Sequence, residues 1–249
     1  VRGVPHDYWA ELYAAVKADR PDAILFGEAW KDADGPMGNM TDIAAYCAEV
    51  PGVGYQFDSL IEFPLQMVMT DVFAKGGDAT QLERWLQATE AAYSEHGAPI
   101  YFLDNHDTAR FADFATDRPD ERIAAAVAFM ATLPGPMILY YGTETGMWGA
   151  DDPTNRKPML WPDLGKFVDG DDVVDDEHLA FYRAAGRLRR EHSALRTGSF
   201  QTLHAFGWKG LWTFVRADAE GTLIVALNPD DRPAGVTLPR VAPPSPVEE

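Results

Sequence analysis

Two acidic side chains directly follow apolar runs of the sequence, which makes them candidates for acid–base chemistry. Glu28 comes after the run 23–26 and Gly27, and Asp107 ends the segment PIYFLDNHD at residues 99–107. Barrel enzymes place their catalytic groups at the carboxyl ends of buried parallel strands. The structural alternative is that Glu28 caps a following loop and Asp107 is a turn residue before a helix.

The elements around these residues alternate between helix and strand. Short apolar runs at residues 23–26, 55–63, 99–107 and 136–142 predict four strands, the first of them buried on both faces. Apolar residues at helical spacing predict one helix before the first strand and one after each of the others. The four helical sets are Trp9, Leu12, Tyr13 and Val16; Leu82, Trp85, Leu86, Thr89 and Tyr93; Ile123, Ala126, Val127 and Met130; and Leu179, Phe181, Tyr182, Ala185 and Leu188.

The last part of the chain has a different pattern. A loop of about 30 residues, rich in Asp, Gly and Pro, follows the fourth strand and is longer than an ordinary connection. Beyond Leu195 the runs FQTLHAF, GLWTFVRA and TLIVALN are short, β-rich and separated by turn residues. We therefore predict an α/β domain over residues 1–196 and a small antiparallel β domain over 197–249, ending in an unstructured tail, APPSPVEE.

Alternating strands and helices predict an α/β fold with a parallel sheet. Four such units make half of a closed (β/α)8 barrel, which needs eight. The alternative is a small open α/β sheet that is complete in itself. No Gly-rich phosphate-binding loop of either nucleotide-binding type follows any of the predicted strands.

Composition excludes several classes of partner. The chain has 39 acidic and 21 basic residues, a formal charge of -18, so its surface repels nucleic acid and anionic membranes. A neutral polymer is indifferent to that charge. Cys47 is the single cysteine, so no intrachain disulfide and no Cys/His zinc cluster is expected, and a reduced thiol favours the cytoplasm over secretion.

Three longer segments carry a resemblance to a known family. ILFGEAW, FLDNHDTAR and PGPMILYYGTETGMWGADDPTNRKPMLW resemble successive signature regions of the α-amylase family of glycoside hydrolases. The last of them is similar to the neopullulanase and cyclomaltodextrinase side of that family. The resemblance implies units 5 to 8 of a (β/α)8 TIM barrel, followed by the small C-terminal β domain.

The resemblance also implies roles for individual residues. Glu28 corresponds to the general acid/base, and Trp30 to a wall of its pocket, although a core tryptophan is an equal alternative. Asp107 corresponds to the carboxylate that stabilises the transition state and grips the sugar ring, and His106 to a donor to sugar hydroxyls. Asn105 is expected to brace the turn and Asp104 to be structural.

The long loop supplies two further candidates for substrate binding. Asp152 and Arg156 lie in the segment DDPTNR, which in the resembled enzymes shapes the cleft near the acceptor sugars. The alternative for both is a surface ion pair that holds the loop, and Glu144 is similarly open.

The family's nucleophile is an aspartate in a GxRxD-type motif, and this sequence contains no such motif. VRGVPHDYW resembles the stretch that follows it. We therefore expect a retaining hydrolase of α-1,4-glucosidic bonds in maltooligosaccharides, cyclodextrins or starch, requiring an N-terminal half of the barrel and inactive without it. The alternatives are an α-glucan transglycosylase and a non-catalytic glucan-binding protein. No cofactor or metal site is expected in this segment, and calcium is left open for the intact enzyme.

Overall fold

The computed structural model describes residues 1, 3–30, 36–93, 96–161, 174–205, 210–230 and 232–237. The predicted tail 242–249 and residues 162–173 of the long loop lie outside this part of the chain. The chain divides into two compact units. The first unit is formed by Val1–Met67 and Arg84–Phe102, and the second by Val68–Glu83 and Leu103–Glu249.

Helices and short parallel strands alternate over residues 6–100, with two helices that the sequence analysis did not predict, at Pro36–Ala44 and Phe63–Met69. The elements in chain order are α1 (His6–Asp19), β1 (Phe26–Gly27), α2 (Pro36–Ala44), β2 (Ser59–Ile61), α3 (Phe63–Met69), α4 (Thr80–Ala92) and β3 (Ala98–Ile100). The apolar spacing predicts α4 because its core-facing side chains repeat every three or four residues. Those residues, Leu82, Trp85, Leu86 and Thr89, are all buried.

The three strands form one parallel sheet in the order β1-β2-β3. Phe26 pairs with Ser59, and Ile61 pairs with Ile100. The hydrophobic core beside this sheet contains Ala29, Ile43, Ala44, Cys47, Phe57, Leu60 and Tyr93. Burial raises the pKa of the Cys47 thiol to about 12, so Cys47 is an apolar core residue rather than a reactive one.

The first predicted strand is shorter and more exposed than the sequence indicates. Ile24 is 75% exposed and Phe26 is 54% exposed, so the expectation of burial on both faces is wrong for this segment. β1 lies at the edge of the three-stranded sheet, with β2 as its strand neighbour on one side. A strand at the edge of a sheet is covered by a neighbouring strand on one side only. An apolar sequence therefore does not by itself show that a strand is buried.

The fourth predicted strand, at residues 136–142, is not formed as a regular strand. Within the described residues only Met137 has a bridge partner in this segment, and Leu139 is 43% exposed. An apolar run becomes a strand when a neighbouring strand takes its backbone hydrogen bonds. The parallel sheet therefore has three strands rather than the four predicted.

The second unit combines helices with an antiparallel sheet. Its helices are α5 (Phe111–Phe114), α6 (Pro119–Thr132), α7 (Asp176–Glu191) and α8 (Ser193–Thr197), with a π-helical turn at Thr70–Ala74. Strands β4 (Ser199–Ala205), β5 (Trp212–Ala217) and β6 (Thr222–Leu227) pair in sequence order, as predicted. Pro119 begins α6 at the position where its missing N–H costs nothing.

A buried arginine connects the antiparallel sheet to the helices of the second unit. The Arg216 side chain on β5 is fully buried and donates hydrogen bonds to the backbone carbonyls of Thr132 (2.6 Å), Leu195 (3.1 Å) and Gly198 (2.9 Å). These carbonyls lie at helix C-termini, where four carbonyls lack helical partners. The predicted domain boundary at residues 196/197 stays a prediction, because the compact second unit extends across it.

None of the helices in the described residues is both long and apolar enough to cross a bilayer.

Candidate active site

Glu28 directly follows β1 in the first unit, as the sequence predicts. Gly27 lets β1 approach the core closely, since a Cβ atom there would lie 3.0 Å from the Val1 side chain and 3.3 Å from the Phe57 ring. Residues 27 and 29 are buried, whereas Glu28 is half-buried and Trp30 is exposed. This alternation places Glu28 and Trp30 on the more open side of the segment.

Trp30 lines a pocket in the first unit, and its role as a wall of the Glu28 pocket stays a prediction. The pocket has a volume of about 170 Å³, and its lining includes His6, Asp42 and Tyr46. The rings of His6 and Tyr46 stack at 4.3 Å between centroids, and the Trp30 ring meets Phe63 edge-on at 4.5 Å. Aromatic faces next to polar groups suit a flat, hydroxylated ligand.

The turn at residues 104–108 in the second unit holds His106 and Asp107 at the surface. The Asn105 side chain accepts a hydrogen bond from the Asp107 N–H at 2.9 Å, and the Thr108 hydroxyl accepts one from the Asn105 N–H at 3.0 Å. Asn105 thus braces the turn, as predicted. The side chains of His106 and Asp107 are each about half exposed, with Nε2 and Oδ2 3.4 Å apart.

The structure brings both loop candidates to this turn. The Arg156 Nη2 lies 3.1 Å from Asp107 Oδ1, and its Nε donates to the His106 carbonyl at 3.0 Å. The Arg156 Nε lies 3.6 Å from Asp152 Oδ1, an ion pair rather than a hydrogen bond. The Arg156 guanidinium therefore neutralises and orients the Asp107 carboxylate. Asp152 lies near the Nε atom of the same guanidinium. We name His106, Asp107, Asp152 and Arg156 the outer cluster.

A second, buried layer lies beneath the outer cluster. Asp104 is 1% exposed, and its two oxygens accept hydrogen bonds from the Phe111 N–H at 2.9 Å and the Thr143 hydroxyl at 2.8 Å. Burial raises the pKa of Asp104, while these two donors and the nearby Arg110 oppose the rise. Asp104 is structural, as predicted.

Arg110 and Asn155 are the residues that the sequence analysis missed. Arg110 is fully buried and donates to the carbonyls of Tyr141 at 2.8 Å and Asn155 at 3.2 Å. The Asn155 amide donates to the carbonyls of His106 and Thr108, each at 3.0 Å. Arg110 lies in the segment FLDNHDTAR and Asn155 in DPTNR, so membership of a family segment was the available signal. We name Asp104, Arg110 and Asn155 the inner layer.

The class of protein follows from a comparison with known families. Residues 3–198 match the model of the alpha amylase catalytic domain. The chain therefore belongs to the alpha-amylase family, in agreement with the three quoted segments.

Individual relatives make the similarity more specific. A cyclomaltodextrinase from a Bacillus species is 33% identical over 94% of this chain, and neopullulanase 2 from Thermoactinomyces vulgaris is 31% identical over 90%. The crystal structure of an alpha-amylase from Geobacillus thermoleovorans, complexed with acarbose, superposes on 92% of the chain with a TM-score of 0.74 and 30% identity. The chain spans 38% and 35% of the two curated relatives and 47% of the solved chain.

Proposed function

We propose that the whole protein to which this chain belongs is a retaining α-glucan hydrolase. Its substrates are maltooligosaccharides, cyclodextrins or starch, cleaved at α-1,4-glucosidic bonds. Support comes from the names of its relatives, a cyclomaltodextrinase and a neopullulanase. The observation that carries the proposal is the outer cluster, which presents the half-exposed Asp107 carboxylate between His106 and Arg156 within a segment matching the family.

Glu28 is the general acid/base in this proposal. A glycosidic bond breaks when a carboxyl group protonates the leaving oxygen while positive charge develops on the sugar carbon. Glu28 suits this role because it directly follows a strand end and is half-buried rather than fully buried. Trp30, on the same open side, provides an apolar surface for a sugar ring.

Asp107 stabilises the developing positive charge, and His106 donates to sugar hydroxyls. The Arg156 guanidinium fixes the direction of the Asp107 carboxylate, so the oxygen that faces the sugar is positioned before the substrate arrives. Asp152 binds the acceptor side of the substrate through its exposed carboxylate. No cofactor takes part in these steps.

The nucleophile is an aspartate of the whole protein that this chain does not contain. The absence of a GxRxD-type motif from the sequence supports this, as does the span of 38% or less of the curated relatives. In a retaining mechanism that aspartate forms a glycosyl ester, which water then cleaves with Glu28 acting as base.

The test is release of reducing sugar from maltooligosaccharides, cyclodextrins and starch by this chain, alone and combined with a segment that supplies the GxRxD motif. We expect activity only in the combination, reduced about 10²–10⁴-fold by Glu28→Gln. Glu11→Gln is the matched control, because Glu11 is exposed on α1. Activity of the chain alone contradicts the assignment of the nucleophile. Transfer products in place of hydrolysis favour a transglycosylase, and glucan binding without turnover favours a binding protein.

A further inference from the structure

A second group of ionisable side chains lies in the second unit, at the N-terminal ends of α6 and α7. Asp120 is in the first turn of α6, Asp175 is the N-cap of α7, and His178 is in the first turn of α7. The His178 Nε2 lies 3.6 Å from Asp120 Oδ1, and its Nδ1 lies 3.6 Å from Asp175 Oδ2. One donor atom from each residue lies within 4.8 Å of the other two.

The imidazole of His178 is buried and has no hydrogen bond. Its side chain is 8% exposed, and neither ring nitrogen has a partner within hydrogen-bond distance. The two carboxylates, at 3.6 Å, are too far away to accept a hydrogen bond. A buried polar group left unpaired destabilises the fold, so the arrangement indicates a ligand beside the ring.

Gly146 leaves the space beside the ring open. A Cβ atom at this position would lie 3.1 Å from His178 Nδ1, and the backbone has a φ of +78°, which favours glycine. The Asp120 side chain is 72% exposed, so the space between the three groups is accessible to a small ion from solvent.

The donor set and its spacing point to the chemistry of the ligand. Zn²⁺ binds imidazole nitrogen and carboxylate oxygen at about 2.0–2.2 Å, which in a tetrahedral site separates neighbouring donors by about 3.4 Å. One ring nitrogen binds one ion, so only one of the two 3.6 Å separations belongs to the site, and that separation is close to the tetrahedral value. The three donor atoms of the site all lie within 4.8 Å of one another. Ca²⁺ and Mg²⁺ prefer oxygen ligands alone, and the imidazole therefore favours a first-row transition metal.

We propose that Asp120, Asp175 and His178 form a site for a divalent transition-metal ion such as Zn²⁺, with water completing its coordination. The two carboxylates neutralise the charge of the ion and offset the positive ends of the two helices. The Asp175 Oδ1 accepts the His178 N–H at 2.9 Å, so its Oδ2 is free to bind the ion while the helix cap remains. The ion joins the N-termini of α6 and α7 and stabilises the second unit. The sequence analysis expected no metal site, because the sequence contains no Cys/His cluster.

The test is titration of the metal-free chain with Zn²⁺ by calorimetry, together with its thermal unfolding in the presence of Zn²⁺ or a chelator. We expect one saturable ion per chain and a higher Tm with Zn²⁺, since a ligand of the folded state alone raises its stability. Asp120→Asn and Asp175→Asn should each weaken binding at least tenfold. Both variants are expected to fold, because Asp120 is exposed and asparagine also caps helices.

Asp176→Asn is the matched control, because Asp176 is exposed and adjacent to Asp175. It should bind Zn²⁺ as the unchanged chain does. Histidine-selective NMR adds a direct readout: Zn²⁺ should shift the ring signals that His178→Gln removes. The proposal is overturned if the unchanged chain shows no saturable binding. It is equally overturned if binding persists undiminished in Asp120→Asn and Asp175→Asn, because the ion then lies elsewhere.

Discussion

The outer cluster and the inner layer of the second unit both contain aspartate and arginine, but these residues have different surroundings. Asp104 and Arg110 are buried and hydrogen-bonded to backbone groups, whereas Asp107 and Arg156 are about half exposed and pair with each other. Backbone groups fix the first pair in place, and solvent or a ligand can reach the second. The comparison shows that the inner layer shapes the turn, and that the outer cluster is available for chemistry.

The largest expected effect comes from removing the buried guanidinium of the inner layer. Arg110→Met leaves the carbonyls of Tyr141 and Asn155 without their donor and removes the cation near Asp104. We expect a loss of about 3–5 kcal/mol in the free energy of unfolding, measured with chemical denaturant. Arg187→Met is the control, because Arg187 is exposed on α7. A loss below about 1 kcal/mol for Arg110→Met would show that the inner layer does not support the turn.

Glu62 in the first unit sharpens the comparison, because it is a buried carboxyl with fewer partners than Asp104. Its Oε2 accepts the Tyr93 hydroxyl at 3.1 Å, and its Oε1 has no hydrogen-bond partner. Burial raises the pKa of Glu62 to about 8, against an opposing contribution from the Tyr93 hydroxyl. The folded chain therefore holds a proton that the unfolded chain loses near its ordinary pKa.

Stability should accordingly fall as the pH rises from about 4.5 towards 8, with each pKa unit worth about 1.4 kcal/mol. Glu62→Gln should remove this dependence, because glutamine is neutral at every pH and keeps the acceptor for Tyr93. The measurement is urea unfolding at a series of pH values. A pH dependence that is the same in both proteins would mean that Glu62 is ionised in the folded chain at neutral pH.

Asp58 gives the opposite pH dependence at the other end of β2. Burial opposes ionisation, but donors from the Leu25 N–H, the Tyr13 hydroxyl and Lys17, each within 3.0 Å, hold the pKa of Asp58 below its ordinary value. Its stabilising contribution is therefore present above the ordinary pKa and is lost as the pH falls through the lowered one. Asp58→Asn should cost about 2 kcal/mol at neutral pH and less in acid, by the same unfolding measurement. Asp22→Asn, at an exposed position, should show no such change.

The smallest effect on stability is expected in the outer cluster. Arg156→Gln removes an exposed ion pair with Asp107, which contributes below about 1 kcal/mol. The same substitution should lower kcat of the whole enzyme, because the Asp107 carboxylate loses its orienting partner. A large loss of stability would instead place Arg156 with the inner layer.

The sequence predicted those parts of the fold that depend on local periodicity. Helices α1, α4, α6 and α7 follow from apolar residues repeated every three to four positions, and strands β4 to β6 follow from short β-rich runs between turn residues. Leu188 was predicted on the buried face of α7 and is 41% exposed, because periodicity does not show where the packing of a helix ends. The prediction of a strand at residues 136–142 was wrong for a related reason. Whether a strand forms depends on neighbouring strands that are distant in sequence.

The residues of the candidate site also divide into those that the sequence predicted and those that it missed. Asp107, His106 and Glu28 were predicted as site residues because each lies beside an apolar run within a family segment, and their roles stay predictions. Arg110 and Asn155 were missed, because their roles depend on carbonyl groups from another part of the chain. The group of Asp120, Asp175 and His178 was not predicted, because Asp120 on α6 meets Asp175 and His178 at the start of α7 only through the packing of the two helices.

The measurement that tests the central proposal most directly compares two substrates of the whole enzyme carrying Glu28→Gln. A maltooligosaccharide needs a proton on its leaving oxygen, whereas α-maltosyl fluoride has a leaving group that departs without one. We predict a rate about 10²–10⁴-fold lower on the maltooligosaccharide and a nearly unchanged rate of glycosyl-enzyme formation from the fluoride. Asp107→Asn should slow both reactions, because Asp107 acts on the sugar. An equal loss on both substrates for Glu28→Gln, or no loss on either, would contradict the assignment of Glu28 as the general acid.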